Sequence, residues 1–390
     1  MVNSLIAVVL RCLDKGAWMV HQLVQRRAIM ATCLIWVLTI LGLAGEAAWA
    51  DHIHMPSGPF GGIVLAVVPD RATPQVLYAA VFGGGVFKST SAGQMWTGIN
   101  QGLENAHILC LVQDPAQPAV LYLCTDAGVF KTSGTDERWV PVRQGLETRN
   151  IRAIALHPQR PAHLLAATDA GVYRSADGGA RWDPVSEGMT DLDVRAIAFD
   201  PQTLDIVYAA TFGGLFKSRD GGQTWQPTPT QPADPHLRVL AIVPQQPAVL
   251  YVGTARGGIY RSADGGESWM ALNEGLGSTS VLSLTVAPTD PTALYAGTVA
   301  GLYRLKTGDA QWTRLGGGQL LSVTAVTPDP QTRDSFYVGT GGTILKTSDG
   351  GHTWTDLSQW VLHPMPTAAP SSGSTGPTVP ATEHSSQERR

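Results

Sequence analysis

The chain has 390 residues, of which 44% are apolar and only 15% charged, with 43 Gly and 26 Pro. That balance excludes a disordered chain and favours many short strands joined by tight turns over long helices. Net charge is −4, and because residues 1–50 carry four Lys/Arg and two Asp/Glu, the remainder stands at −6, which argues against a nucleic-acid partner.

The N-terminus has the layout of an export signal: Arg26 and Arg27, an apolar run over 28–45, then Ala48-Trp49-Ala50 with small residues where a signal peptidase cuts. Residues 1–50 are therefore expected to be a signal peptide cleaved after Ala50. Left uncleaved, the same run is nearly long enough to anchor the chain in a bilayer, the only membrane contact the sequence suggests. Both readings place the remainder outside the cytoplasm, in a periplasmic, extracellular or lumenal space.

From about residue 60 the chain repeats. Seven tryptophans, Trp96, Trp139, Trp182, Trp225, Trp269, Trp312 and Trp354, follow one another at steps of 43, 43, 43, 44, 43 and 42 residues. A fixed period of this length denotes a repeat architecture. In the fourth copy, strand-forming runs at 194–199, 206–211, 214–218 and 224–227 are separated by Asp200-Pro201, Phe212-Gly213-Gly214 and Asp220-Gly221-Gly222. Four strands per repeat is the blade of a β-propeller, so the expected fold is an all-β, seven-bladed propeller over 51–360.

Each Trp closes a box. Full copies are Ser175/Asp177/Gly179/Trp182, Ser218/Asp220/Gly222/Trp225, Ser262/Asp264/Gly266/Trp269 and Thr347/Asp349/Gly351/Trp354. In the degraded copies Ser91, Gly134 and Thr307 replace the Asp. Asp-Gly-Gly between apolar runs is turn chemistry: glycine accepts positive φ, Asp bonds nearby amides, and Trp buries a large face. These residues are expected to be structural. One carboxylate per turn falls far short of the oxygens a hard cation needs, so no metal is expected.

Aligning the copies gives two columns of small residues. The first strand supplies Ala66, Cys110, Ala153, Ala196, Ala241, Ser283 and Ala325, and the second Ala80, Cys124, Ala167, Ala210, Gly253, Gly297 and Gly339. Cys110 and Cys124 thus occupy packing slots, and are read as buried free thiols in preference to a cross-strand disulfide. His157 stands where other copies carry Asp114 or Asp200, as a turn residue expected to face solvent.

Residues 361–390 are rich in Pro, Ser and Thr and are expected to be a disordered tail. No HExxH, phosphate-binding loop or nucleophile elbow occurs, so no cofactor and no catalytic residue is nominated. The turns joining second to third strands and the loops joining blades should share the rim opposite the boxes. They place there Phe82, Asp126, Asp169, Phe212 and Arg256, with Glu104, His107, Glu147, Arg149, Glu187, Asp191 and Asp193 from the loops. Arg152 and Arg195 fall where other first strands carry Leu65, Leu109, Leu240 and Leu282. They are either part of a binding mouth or structural charges paired with an Asp such as Asp169 or Asp193.

The boxes, and the phrase Leu-Tyr-Ala-Gly-Thr with Gly-Leu-Tyr-Arg inside residues 294–304, resemble the BNR/Asp-box group of propellers. That group includes sialidases, xyloglucanase-type glycoside hydrolases, sortilin-type receptors and photosystem II assembly factors. The resemblance implies the fold across about residues 60–358. The early Arg-Ile-Pro segment of sialidases is missing, and xyloglucanase-type enzymes build their cleft between two propellers, whereas seven repeats make one ring. A single exported ring is most similar to the assembly-factor type. The expected function is a non-enzymatic scaffold with a protein partner, and the alternative is a carbohydrate-binding or glycoside-hydrolysing propeller.

Overall fold

The computed structural model describes residues 62–358 except 134–136, 149, 289 and 319; the signal and tail expectations lie outside these residues. Seven four-stranded antiparallel sheets follow one another, over residues 63–98, 108–141, 151–184, 194–227, 237–271, 281–315 and 325–356, with no helix among the described residues. Blade four consists of Val194–Phe199, Val207–Thr211, Gly214–Ser218 and Gln226–Pro227. Its second strand is buried at every residue and its outermost strand is exposed. A blade is covered on both faces by its neighbours, so the middle strands lose the alternation of a half-exposed sheet.

Among the described residues each sheet is made from one continuous stretch of chain, and no strand is shared between the first and last blades. Closure comes from side chains and backbone instead. Val64, Phe87 and Trp96 of blade one pack with Tyr337, Ile344 and Leu357 from the other end of the ring. Trp96 Nε1 donates to the Leu357 carbonyl at 2.8 Å, and the Val64 amide donates to Thr340 at 3.0 Å. The same stitch recurs around the ring, from Trp139, Trp182, Trp225 and Trp312 to the carbonyls of Ile99, Val142, Val185 and Leu272. Trp269 Nε1 is buried without a partner among the described residues.

A second stitch uses a column on the middle strands, where Tyr122 and Tyr208 stand directly opposite Lys131 and Lys217. Tyr122 Oη and Lys131 Nζ donate to the Gly178 carbonyl of the next blade's box at 3.3 and 3.4 Å. Tyr208 and Lys217 do the same to Gly265 at 3.4 and 3.3 Å. The boxes therefore join blades as well as turn the chain.

Inside a box the Ser218 hydroxyl donates to Asp220 at 2.7 Å and accepts the Gly222 amide at 2.8 Å. Gly222 has φ +87°, and a Cβ there would lie 2.8 Å from Leu165 Cδ1, so the position requires glycine. Gly179, Gly222, Gly266 and Gly351 are all buried, unlike the Asp that precedes each of them. Every one of the four is seated against the preceding blade. A Cβ on Gly179 would lie 3.2 Å from Val142, one on Gly266 2.8 Å from Thr228, and one on Gly351 3.0 Å from Leu315. These glycines are thus contact points between blades. The degraded box of blade one keeps the box geometry: Ser89 Oγ accepts the Gly93 amide at 2.9 Å and Ser91 accepts that of Met95 at 2.9 Å. A hydroxyl is enough to replace the carboxylate as acceptor.

Three sequence expectations require correction. In blade five, Gly253 lies opposite Val239 and not Ala241. The small-residue column there is thus Val239, and a Cβ on Gly253 would be 2.6 Å from Val239 Cγ2, so the missing side chain makes room for the larger one. Cys110 and Cys124 are directly paired across the two inner strands of blade two with Cα atoms 4.8 Å apart, and they form a disulfide; they are not free thiols. Opposed positions in an antiparallel pair bring the two Cβ atoms within bridging range. His157 is 4% exposed and does not face solvent. Its Nδ1 accepts the Gln159 and Arg160 amides at 3.2 and 3.1 Å, as Asp200 Oδ1 accepts those of Gln202 and Thr203 at 2.8 and 2.9 Å, while its ring packs on Phe199.

Candidate binding rim

The box turns bond to the turns between first and second strands, as Gly178 does to Ala162 and Gly221 to Asp205, both at 2.8 Å. The turns between second and third strands gather at the other end with the loops that link blades. Phe82 bridges to His107, and their rings stack at 5.1 Å. Asp126 accepts from Asn105 at 2.6 Å and contacts His107 Nδ1 at 2.7 Å, and Asp169 accepts from Thr148 at 2.6 Å and Asn150 at 3.1 Å. Asp234 receives the Arg256 and Gly257 amides at 3.1 and 2.7 Å. Burial pushes the Asp234 carboxyl upward, but hydrogen bonds from His236, Thr254 and Gly257 outweigh it and hold the group at about 2. Glu104 is clamped by both terminal nitrogens of Arg143 at 2.9 and 2.7 Å. Arg149 lies outside the described residues, and Glu187 sits apart, its backbone bridging Thr224 beside the box of blade four.

Every inner strand of blades one to six carries a register shift near this rim, and the residue it skips is Leu65, Leu109, Arg152, Arg195, Arg238 and Leu282 in turn. A bulged residue is released from strand alternation and can turn its side chain toward the strand end. The leucine equivalent assigned to blade five, Leu240, is thus displaced by Arg238. Three consecutive blades present arginine, and the constant 43-residue interval 152, 195, 238 is the signal that finds the third.

Asp193, in the loop before blade four, pairs with Arg152 through Oδ1 and with Arg195 through Oδ2, the latter at 2.6 Å. Burial lowers the pKa of Arg152, and the neighbouring Arg195 lowers it further, against opposing pulls from Asp169 and Asp191. Arg195 is lowered mainly by burial, with Asp191 and Asp169 opposing. Both stay cationic at neutral pH because guanidinium does not deprotonate in proteins. The Arg195 guanidinium lies over Phe212 at 4.7 Å, and Phe212 meets His236 edge-on at 4.8 Å. Among the described residues, Arg238 hydrogen-bonds Ser280 Oγ alone, at 3.4 Å. The inner strands of blades three to five touch one another, so the three arginines line one arc of the mouth. Among the described residues no cluster of metal-ligating side chains occurs, and no helix is long and apolar enough to cross a membrane.

Residues 170–290 match the Sortilin-Vps10 family model, described as sortilin, neurotensin receptor 3. No curated protein sequence matches the chain. Among solved structures it is similar to an ancestral GH74 enzyme, at TM-score 0.64 and 23% identity over 78% of this chain and 47% of that one. It is also similar to the GH74 xyloglucanase of Xanthomonas campestris, at 0.63 and 20% over 78% and 55%. A third likeness is to YCF48 bound to D1 peptide, at 0.57 and 16% over 74% and 94%. The chain spans about half the length of the two GH74 structures.

Proposed function

We propose that this propeller is a non-enzymatic, exported scaffold that captures a protein segment at the loop rim, on the arc of Arg152, Arg195 and Arg238. The observation that carries the reading is the charge count at the bulges: three guanidinium groups share one directly paired carboxylate, Asp193. Asp126, Asp169 and Asp234 are engaged by their own loops, and Asp191 accepts the Asp193 amide at 2.9 Å within its loop. Beside the arginines stand aromatic rings, Phe212 with His236 and, farther round, the exposed Phe82 with His107. A cationic mouth edged by aromatic faces fits an acidic extended peptide, which arginine engages through paired hydrogen bonds. The similarity to a propeller solved with a bound peptide agrees with this reading. Export is supported by the N-terminal layout and by a disulfide, which persists in oxidising compartments.

The test is capture of partners from envelope extract by wild type and by Arg152→Leu/Arg195→Leu, at two salt concentrations, with a glycan array run in parallel. The double variant should melt like wild type and lose the client, and wild-type capture should weaken with salt because screening acts beyond about 8–10 Å. Full capture by the folded variant would refute the site. Saturable glycan binding without a protein client would favour a carbohydrate-binding propeller.

A further inference from the structure

The Tyr and Lys donors that stitch blade to blade have counterparts in blade five, where Tyr251 stands directly opposite Arg261. In blades two and four the equivalent pair meets a glycine carbonyl of the next box. Blade six has no such box. Leu305 holds the position of the box serine and Thr307 that of the aspartate. The turn takes another path: the Thr307 amide donates to Thr292 at 2.8 Å, and the Asp309 amide donates to Lys306 at 3.0 Å. A Cβ built on Gly265 would lie 3.2 Å from both Lys217 Nζ and Tyr208 Oη, whereas one on Gly308 meets nothing within 4 Å. The turn has withdrawn from the donors.

What remains is a cavity of about 230 Å³ between the two blades. Tyr251, Arg261 and Lys306 line it together with the apolar Leu272, Leu294 and Leu305. Tyr122, Tyr208 and Tyr337 in the same column are each 1% exposed, while Tyr251 is only partly buried. Among the described residues neither Tyr251 Oη nor the Arg261 guanidinium has a hydrogen-bond partner.

We infer that this cleft is a binding site for a small carboxylate with an apolar body. The two orphaned donors line the cavity at the column positions whose counterparts in blades two and four donate to a box carbonyl. Arginine in place of lysine changes a point charge to a planar fork that matches the two oxygens of a carboxylate. Lys306 adds a second cation. The Asp309 carboxylate also borders the cavity, but its Oδ2 accepts the Lys306 amide at 3.1 Å, so it is committed to the turn. The leucine wall rewards a hydrocarbon body and offers a sugar or free phosphate nothing to bond.

The test uses the full chain and ligand-observed ¹⁹F NMR with 4-fluorobenzoate, against the neutral isostere 4-fluorobenzamide. Saturable binding of the acid and at least about tenfold weaker binding of the amide are expected, the difference of a charge-assisted bond. Arg261→Gln should weaken the acid by about tenfold and Tyr251→Phe by a smaller factor, with Arg261→Lys recovering part of the loss. Lys217→Gln, at a junction already filled by its box, should leave binding unchanged. No saturable binding up to about 10 mM, the range where contacts worth ~3 kcal/mol become visible, would overturn the inference. Equal binding of acid and amide, or undiminished binding by folded Arg261→Gln and Tyr251→Phe, would overturn it as well.

Discussion

Replacing Asp220 by alanine isolates what a box contributes. Its carboxylate accepts the Ser218 hydroxyl at 2.7 Å, the Gln223 and Thr224 amides at 2.9 Å each, and the Thr224 hydroxyl at 2.6 Å. Partial burial pushes the carboxyl upward, but these bonds outweigh it and hold the group at about 2, below its ordinary 3.8. At ~1.36 kcal/mol per pKa unit that difference is worth about 2.5 kcal/mol. Solvent screening at an accessible turn reduces this to about 1–1.5 kcal/mol. The folded-state pKa is depressed, so the contribution is complete above about pH 4 and is lost as pH falls toward 2. Urea melts of wild type and Asp220→Ala should therefore differ by about 1 kcal/mol or slightly more at pH 7 and converge toward pH 2, with client capture unchanged. The reasoning fails if the stability difference is independent of pH, or if melting is unaltered while capture collapses.

Cys110→Ala/Cys124→Ala should keep the fold, because alanine fills the same opposed slots in blades one, three and four. It should lose up to about 3 kcal/mol from release of a short loop in the unfolded chain. Reductant should reproduce that loss in wild type and leave the variant unchanged, and a wild type insensitive to reductant would contradict the bond. The His157 pKa is lowered by burial first, then by Arg160 and His163. The unfolded state then takes up the proton before the folded state, so stability is full above about pH 6.5 and falls as pH drops below it. His157→Asp, which restores the acceptor used by other blades, should flatten that slope; an unchanged pH profile would show that the turn does not depend on the ring nitrogen.

The repeat interval, the strand grammar and the turn chemistry were legible in the sequence because each is local. A glycine at positive φ, an Asp beside backbone amides and a Trp at a 43-residue step announce themselves without reference to the rest of the chain. So does the closed ring, since each blade must bury both faces and only another blade can cover them. What register decides could not be read so directly. The bulge in the inner strand of blade five set whether Arg238 or Leu240 joined Arg152 and Arg195, and a two-residue offset there hid the third arginine. The disulfide needed two cysteines to be opposed across strands, a matter of pairing that spacing alone leaves open. That Gly179, Gly266 and Gly351 press on a neighbouring blade was likewise hidden, since a turn signal says nothing of what the turn rests on. The degraded boxes separated only in three dimensions. Blade one retained the turn with Ser91 as acceptor, whereas blade six abandoned it and left Tyr251 and Arg261 facing a cavity, because a stitch between blades depends on where a neighbouring carbonyl comes to rest.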